Sequence, residues 1–171
     1  MKPIPIQDEL LDIVDNRDVV VRTELRSVIY QQKIRHIRAV NAFIINNKGQ
    51  LWIPRRTATK ALFPLSLDTS VGGHVQSGES YDQAFDRELQ EETGLVLKDM
   101  DCQVKAYLTP LEHNVSCFMT VYEIKSSQTP VYNPDDFCDF FWITPTELIE
   151  KIETGEPAKS DLITLAKILY S

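Results

Sequence analysis

Long apolar runs are missing from this sequence of 171 residues. No apolar run approaches the ~20 residues that a membrane-spanning helix needs, so we expect no membrane partner. No long apolar stretch follows Lys2, and we therefore expect no signal peptide. The length fits a single domain, residues 1–171, with a sizeable core.

Paired cysteines are also missing. The chain has three cysteines, Cys102, Cys117 and Cys138, which are widely spaced and form no CxxC pair. Such spacing favours reduced thiols over a disulfide framework. We therefore expect a cytoplasmic protein.

Positive charge is scarce, since 18 Lys and Arg stand against 25 Asp and Glu and give a net charge of −7. General nucleic-acid binding needs a basic surface, so the composition argues against a nucleic-acid partner. A phosphorylated small molecule is still allowed as a substrate, because a metal ion can supply the missing positive charge.

Strand signals dominate the first third of the chain. Residues 10–38 begin with two β-rich runs around the polar turn 15–18, which predicts an N-terminal hairpin. Residues 39–45 are suited to a buried strand, and residues 50–56 read as the strand that returns after a turn. Pro54 is expected at a strand end or edge, because proline cannot donate to a ladder.

Helix signals are clearest at residues 80–93. Ser80 and Gln83 form a capping-box pattern, and Gly94 supplies a stop. Later strands are followed by a second helix that starts at Thr144 and a last helix at about 160–169. This order predicts an α/β or α+β fold, with helices on both sides of a mixed sheet.

Three glutamates crowd one face of the predicted helix. Glu88, Glu91 and Glu92 lie within a ~100° arc. Like charges at this spacing cost roughly 0.2–0.5 kcal/mol per pair, and they stand at the negative end of the helix dipole. Bound Mg²⁺ or Mn²⁺ would reverse that sign, since both take carboxylate oxygens. The alternative is a solvated acidic face without a ligand.

Two further features accompany the glutamates. Gly72 and Gly73 precede the helix and allow the backbone to approach a ligand closely. Arg87 is a lone cation among carboxylates, placed to pair with Glu79 or Glu91.

Residues 73–95 resemble the signature of the Nudix hydrolase family, the Nudix box. The signature reads Gly, five residues, Glu, seven residues, Arg-Glu, an aliphatic, any residue, Glu-Glu, any residue, Gly and an aliphatic. All nine specified positions are filled, by Gly73, Glu79, Arg87, Glu88, Leu89, Glu91, Glu92, Gly94 and Leu95. A chance match somewhere in such a chain has a probability on the order of 10⁻⁷.

The resemblance implies a Nudix-type mixed sheet sandwiched between helices, and a hydrolase that cleaves a diphosphate bond in a nucleoside diphosphate linked to another group. It implies Mg²⁺ or Mn²⁺ as the cofactor. Glu91 and Glu92 would be the principal metal ligands, with Glu88 and the carbonyl of Gly72 as further ligands. Arg87 would form a salt bridge with Glu79 that holds loop to helix.

Other candidates lie outside the box. Glu112, between two strands, is our choice for an additional ligand or general base, against the alternative of an exposed loop carboxylate. Arg55, Arg56 and Lys60 are candidate contacts to the substrate diphosphate, against ordinary surface charge. His74 is either a metal or phosphate contact or a hydrogen-bonded structural histidine.

Two other functions remain as alternatives. Residues 48–56 and 70–79 look like the isopentenyl-diphosphate isomerase branch, but Gly72 and Asn114 stand where the isomerases carry titratable groups. A non-catalytic binding module of the same fold would be expected to lose box glutamates, and none is lost. The sequence names neither the substrate nor the oligomeric state, for which a homodimer is kept beside a monomer.

Overall fold

The computed structural model describes residues 8–171. Its strands and helices, in chain order, are β1 (Leu10–Val14), β2 (Val20–Leu25), α1 (Arg26–Gln31), β3 (Arg38–Ile45), β4 (Leu51–Arg56), β5 (Val71–His74), α2 (Tyr81–Thr93), a 3₁₀ turn (Leu97–Asp99), β6 (Asp101–Leu108), β7 (Phe118–Lys125), β8 (Phe137–Ile143), α3 (Pro145–Glu153) and α4 (Leu162–Tyr170).

A six-stranded mixed sheet forms the centre of the molecule. Its order is β6-β7-β3-β4-β8, and β5 also pairs with β3. Strands β3 and β7 run parallel, whereas the other pairs are antiparallel. Strand β3 pairs with β4 only at Ile45 and Leu51, and with β5 along residues 39–42. Strands β4 and β5 therefore divide one edge of β3 between them.

Helices cover both faces of this sheet, which confirms the predicted fold class. Phe85 and Leu89 of α2 belong to one core, with the even-numbered residues of β3. Leu148 of α3 and Leu165 of α4 belong to the other core, with Phe43. The two-residue alternation of β3 sends neighbouring side chains into opposite cores.

The helix boundaries follow their local signals. The side chain of Ser80 caps α2 together with Gln83, and Gly94 ends it in the left-handed region at φ 67°. Thr144 caps α3 in the same way. Both capping boxes were predicted, because the hydrogen bonds that make them lie within four residues.

Two sequence predictions need correction. The N-terminal hairpin covers residues 10–25 rather than 10–38, because α1 follows directly and buries Ile29. Pro54 lies inside β4, opposite Phe140 of β8, so of the two predicted places the strand end is wrong and the edge is found. Its carbonyl accepts from the N–H of Asp68 (3.0 Å), so the side of Pro54 without a donor faces a loop and not β3.

The structure describes the residues that bear on the membrane expectation, but not those that bear on the leader expectation. Among residues 8–171, no helix is long and apolar enough to cross a membrane. The signal-peptide prediction concerns residues 1–7, which lie outside the described residues.

The hairpin holds the loop that leads into α2. Asp12 of β1 accepts hydrogen bonds from Ser77 Oγ (2.7 Å) and from the N–H of Gly78 (3.1 Å). At the hairpin tip, Asp18 accepts from the hydroxyls of Tyr81 and Tyr107 (2.8 and 2.9 Å). The hairpin thus contacts the loop before α2, the first residue of α2 and strand β6.

Asp12→Ala should lower stability and loosen this loop. It leaves the N–H of Gly78 and the hydroxyl of Ser77 without their acceptor, which costs about 1–3 kcal/mol. For a chain of this size the melting temperature should fall by roughly 2–4 °C per kcal/mol. Faster hydrogen exchange of the Gly78 amide checks the local effect.

The control is Asp15→Ala. Asp15 accepts only from backbone N–H groups of its own turn, at Arg17 and Val19. This variant should leave Gly78 exchange unchanged. Equal exchange at Gly78 in all three proteins would show that Asp12 does not hold the loop.

Candidate active site

The glycine pair of β5 lies directly against the glutamates of α2. A Cβ on Gly73 would lie 2.1 Å from the carboxyl carbon of Glu88, which is too close for two non-bonded atoms. Glycine is required here by the close approach of a carboxylate, since the φ of Gly73 is not in the left-handed region. Position 73 and position 88 are therefore coupled sterically.

Glu92 contacts the preceding glycine. The N–H of Gly72 donates to Glu92 Oε2 at 2.9 Å. Gly72 lies opposite Asn41 in the antiparallel ladder of β5 and β3. The N–H of Val75 donates to the carbonyl of Arg38, and hydrogen-bonded pairs alternate along such a ladder, so Gly72 and Asn41 form a pair without mutual hydrogen bonds. The N–H and the carbonyl of Gly72 therefore both point away from β3, to the side of Glu92.

Arg87 ties the loop, the strand and the helix together. Its Nε and Nη2 donate to the two carboxylate oxygens of Glu79 (2.8 and 2.9 Å). Nη2 also donates to the carbonyl of His74 (3.0 Å). Nη1 donates to Glu88 at 2.7 Å and to Glu91 at 3.4 Å. Both pairings that the sequence left open, with Glu79 and with Glu91, are present.

Burial dominates the electrostatics of two glutamates. It raises the pKa of Glu88 to about 7, although hydrogen bonding to Arg87 acts in the opposite direction. Burial also raises the pKa of Glu92 well above its usual value, and the nearby charges of Glu88 and Asp68 add to this effect. The charged forms of both side chains therefore need a positive partner beyond those already present.

The three glutamates contact different donors in the structure. Within residues 8–171, no group of three or more His, Cys, Asp or Glu side chains is arranged to hold a metal ion. Glu88 and Glu91 turn to Arg87, and Glu92 turns to Gly72, because like charges favour separate donors. The side chain of Glu91 is 58% exposed and has room to rotate.

The donor chemistry nevertheless fits a hard divalent cation. Carboxylate oxygens of Glu88, Glu91 and Glu92 and the carbonyl of Gly72 are the ligand types that Mg²⁺ and Mn²⁺ take. Burial disfavours the charged forms of Glu88 and Glu92, and such an ion would supply positive charge beside them.

Lys159 and Asp68 join this site, and the sequence analysis missed both. Asp68 is 3% exposed and accepts from Arg56 Nη1 at 2.7 Å. Lys159 Nζ lies 3.4 Å from Asp68 Oδ1 and 3.6 Å from the point where a Cβ of Gly72 would stand. No local pattern signals this pair, because a tertiary bridge between Leu67 and Ala158 aligns the two segments.

The three candidate cations of β4 and the loop after it lie in different places and have different partners. Arg56 meets Asp68 at the site, as described. Arg55 points to the opposite face, where it binds Glu156 (2.7 Å) and covers the ring of Phe141. Lys60 pairs with Asp136. Only Arg56 is thus linked to the glutamate cluster by a direct contact with one of its neighbours.

Glu112 and His74 also have defined places. Glu112 lies in the turn after β6, with an exposed carboxylate that makes no hydrogen bond or ion pair to the described residues. His74 Nε2 lies 3.1 Å from the hydroxyl of Tyr30. Burial lowers the pKa of His74 to about 3, so the ring is neutral near pH 7. These contacts match the structural alternative for His74.

Comparisons with a family model, a relative and a solved structure all point to the same family. A model of the NUDIX domain matches residues 35–165. An uncharacterized Nudix hydrolase of Nostoc is 52% identical over 163 residues, which cover 95% of this chain and 96% of the relative. The crystal structure of DR0079 from Deinococcus radiodurans matches with a TM-score of 0.91 at 45% identity, covering 95% of this chain and 100% of that chain.

An isomerase is a more distant relative. Isopentenyl-diphosphate Delta-isomerase 2 of Photorhabdus laumondii is 28% identical over 148 residues, which cover 82% of this chain and 80% of the relative. The full Nudix box and the much higher identity to the Nostoc hydrolase decide between the two branches. The chain belongs to the Nudix family and is a hydrolase that acts on diphosphate bonds.

Proposed function

We propose that this hydrolase depends on Mg²⁺ or Mn²⁺ and cleaves a diphosphate bond in a nucleoside diphosphate linked to another group. The observation that carries the proposal is the pair of buried carboxylates, Glu88 and Glu92, pressed against the glycines of β5. Burial raises the pKa of both groups, and a divalent cation would favour their charged forms.

Glu91 and Glu92 are the principal metal ligands in this proposal, and Glu88 and the carbonyl of Gly72 complete the set. When bound, a divalent cation supplies a nucleophilic water at neutral pH and positive charge for the phosphoryl oxygens. Arg87 is a positioning residue in this proposal, because its guanidinium fixes Glu88 and, through Glu79, the loop before α2.

We propose Glu112 as the additional ligand or the proton acceptor outside the box. Its carboxylate is exposed and is not engaged by any described side chain, so it is available to accept a proton. For the substrate diphosphate we propose Arg56, since its partner Asp68 lies close enough to Glu92 to affect the charge of that residue. Arg55 and Lys60 pair with Glu156 and Asp136, away from Asp68, so as diphosphate contacts they rank behind Arg56 in this proposal.

The two alternatives fit these residues less well. Isomerisation adds and removes protons at carbon, which Gly72 and Asn114 cannot do. A binding module has no use for costly buried carboxylates at a diphosphate site. We further propose that the chain acts as a single domain in the cytoplasm, where a reducing environment suits the free thiols of Cys102, Cys117 and Cys138.

Glu92→Gln should abolish turnover without unfolding the protein. The amide oxygen can still accept from the N–H of Gly72, and a penalised buried charge is removed. We therefore expect the melting temperature in EDTA to stay equal or rise, while kcat falls by about 10²–10³. The matched control is Glu150→Gln, on the exposed side of α3, which should change neither quantity. A melting temperature that drops in EDTA with turnover retained would make Glu92 a structural residue.

Gly73→Ala should displace the carboxylate of Glu88. A Cβ at this position would stand 2.1 Å from the Glu88 carboxyl carbon, so one of the two groups must move. We expect weaker Mn²⁺ binding, measured by electron paramagnetic resonance of free Mn²⁺, and a loss of turnover. Gly49→Ala is the control, because a Cβ there meets nothing within 4 Å and any cost is confined to its positive φ. Normal Mn²⁺ affinity in Gly73→Ala would remove Glu88 from the ligand set.

A substrate panel tests the reaction itself. Purified protein with Mg²⁺ or Mn²⁺ should convert at least one of ADP-ribose, dinucleoside polyphosphates, nucleotide sugars, nucleoside triphosphates or prenyl diphosphates. Phosphate released after phosphatase treatment is the readout, and excess EDTA should abolish it. Deuterium exchange from D₂O into isopentenyl diphosphate, above a boiled control, would instead support the isomerase.

A further inference from the structure

We propose that Lys159 binds the diphosphate of the substrate, as a cation that stands outside the Nudix box and beside the metal ligands. The inference deepens the proposed function and rests on it. It assigns to Lys159 a substrate contact that complements that of Arg56.

The backbone brings Lys159 to the site in a fixed place. Its N–H donates to the carbonyl of Leu67 (2.8 Å), and the N–H of Leu67 donates to the carbonyl of Pro157 (2.8 Å). These two bonds form a parallel bridge between Leu67 and Ala158. In an extended segment, neighbouring side chains alternate, so Lys159 and Asp68 share the face opposite Leu67 and Ala158.

Asp68 does not require Lys159 as a partner. Its Oδ2 accepts from Arg56 at 2.7 Å, and its Oδ1 accepts from the N–H of Thr69 at 2.8 Å. The contact with Lys159 is longer, 3.4 Å. A buried carboxylate that already has a guanidinium and a backbone donor is satisfied. Asp68 therefore keeps two donors without the ammonium of Lys159.

The ammonium has donors to spare and a negative environment. A lysine offers three N–H donors, and Asp68 is its single ion-pair partner within residues 8–171. Its side chain is 29% exposed. Burial lowers the pKa of Lys159, but Asp68 and Glu92 raise it by more, so the group is charged.

Placement next to Gly72 selects the ligand. Lys159 Nζ lies 3.6 Å from the point where a Cβ of Gly72 would stand, so it is close to Gly72, whose carbonyl is a proposed metal ligand. Like charges repel, so Lys159 and a cation bound at this carbonyl are accommodated best with an anion between them. A diphosphate carries enough negative charge to bridge both, whereas a neutral ligand does not.

Removing the charge of Lys159 should have an effect that removal of a purely structural lysine would not have. Removing the charge of Lys159 should weaken the binding of diphosphate and strengthen the binding of metal in the absence of substrate. The two effects have opposite signs because Lys159 attracts the anion and repels the cation. Loss of a merely structural ion pair would lower stability and shift both affinities in the same direction or not at all.

The experiment compares wild type with Lys159→Met, Lys159→Arg and Lys167→Met. Lys167, on α4, forms an exposed pair with Glu153 and serves as the matched control. Calorimetric titration with inorganic diphosphate in EDTA measures the anion site without metal. Titration with Mn²⁺ alone, followed by electron paramagnetic resonance, measures the metal site. Michaelis parameters on a panel substrate give the third readout.

For Lys159→Met we expect about tenfold weaker diphosphate binding and a higher KM, as for loss of a charge-assisted hydrogen bond. We expect Mn²⁺ affinity to rise on the order of 3- to 10-fold. Lys159→Arg should keep most of the diphosphate affinity, and Lys167→Met should match wild type. If Lys159→Met does not fold, Lys159→Gln, which keeps a donor but not the charge, decides the same comparison.

Diphosphate affinity equal to wild type in Lys159→Met or Lys159→Gln would overturn the proposal, as would weaker Mn²⁺ binding. These outcomes leave the proposed function intact if wild type still hydrolyses a panel substrate. Conversely, absence of hydrolysis by wild type on the panel would contradict the proposed function. The titration in EDTA would still decide on Lys159, since it needs neither metal nor turnover.

Discussion

The close approach of α2 to β5 is the contact on which the rest of the site depends. The carboxylate of Glu88 fills the space where a side chain at Gly73 would begin, and Glu92 accepts a hydrogen bond from Gly72. Only backbone without Cβ allows a helix carboxylate to come this near to a strand. The core under α2, where Phe85 stacks on the ring of Tyr122 at 4.0 Å, holds the helix at that distance.

Charge is distributed unevenly across this contact. Arg87 contacts the carboxylates of Glu79, Glu88 and Glu91, so one guanidinium faces three negative charges on the loop side of the cluster. Glu92 accepts from the N–H of Gly72, and its neighbour Asp68 is paired with Arg56 and Lys159. The excess of negative charge therefore lies on the side of Arg87.

The sequence predicted those parts of the molecule that local interactions determine. The capping boxes at Ser80 and Thr144 and the hairpin turn depend on residues within a few positions of each other, whereas the short helix α1 carried no such signal and was missed. The Nudix box likewise identified the glutamates and Arg87, because one helix and its preceding loop contain them. The partners of the three carboxylates, Arg87 for Glu88 and Glu91 and the N–H of Gly72 for Glu92, depend on competing donors that a motif does not fully describe.

Residues joined by tertiary contacts could not be predicted in this way. Whether Arg55 or Arg56 faces the site depends on which side of β4 the segment around Leu67 packs, and that segment is fixed by residues near Ala158. Alternation along a strand shows that the two arginines diverge, but it does not show which of them meets the site. The same bridge brings Lys159 beside Asp68. One pairing between distant segments thus determines both which arginine reaches the glutamates and which lysine joins it, so neither assignment can be made from sequence spacing alone.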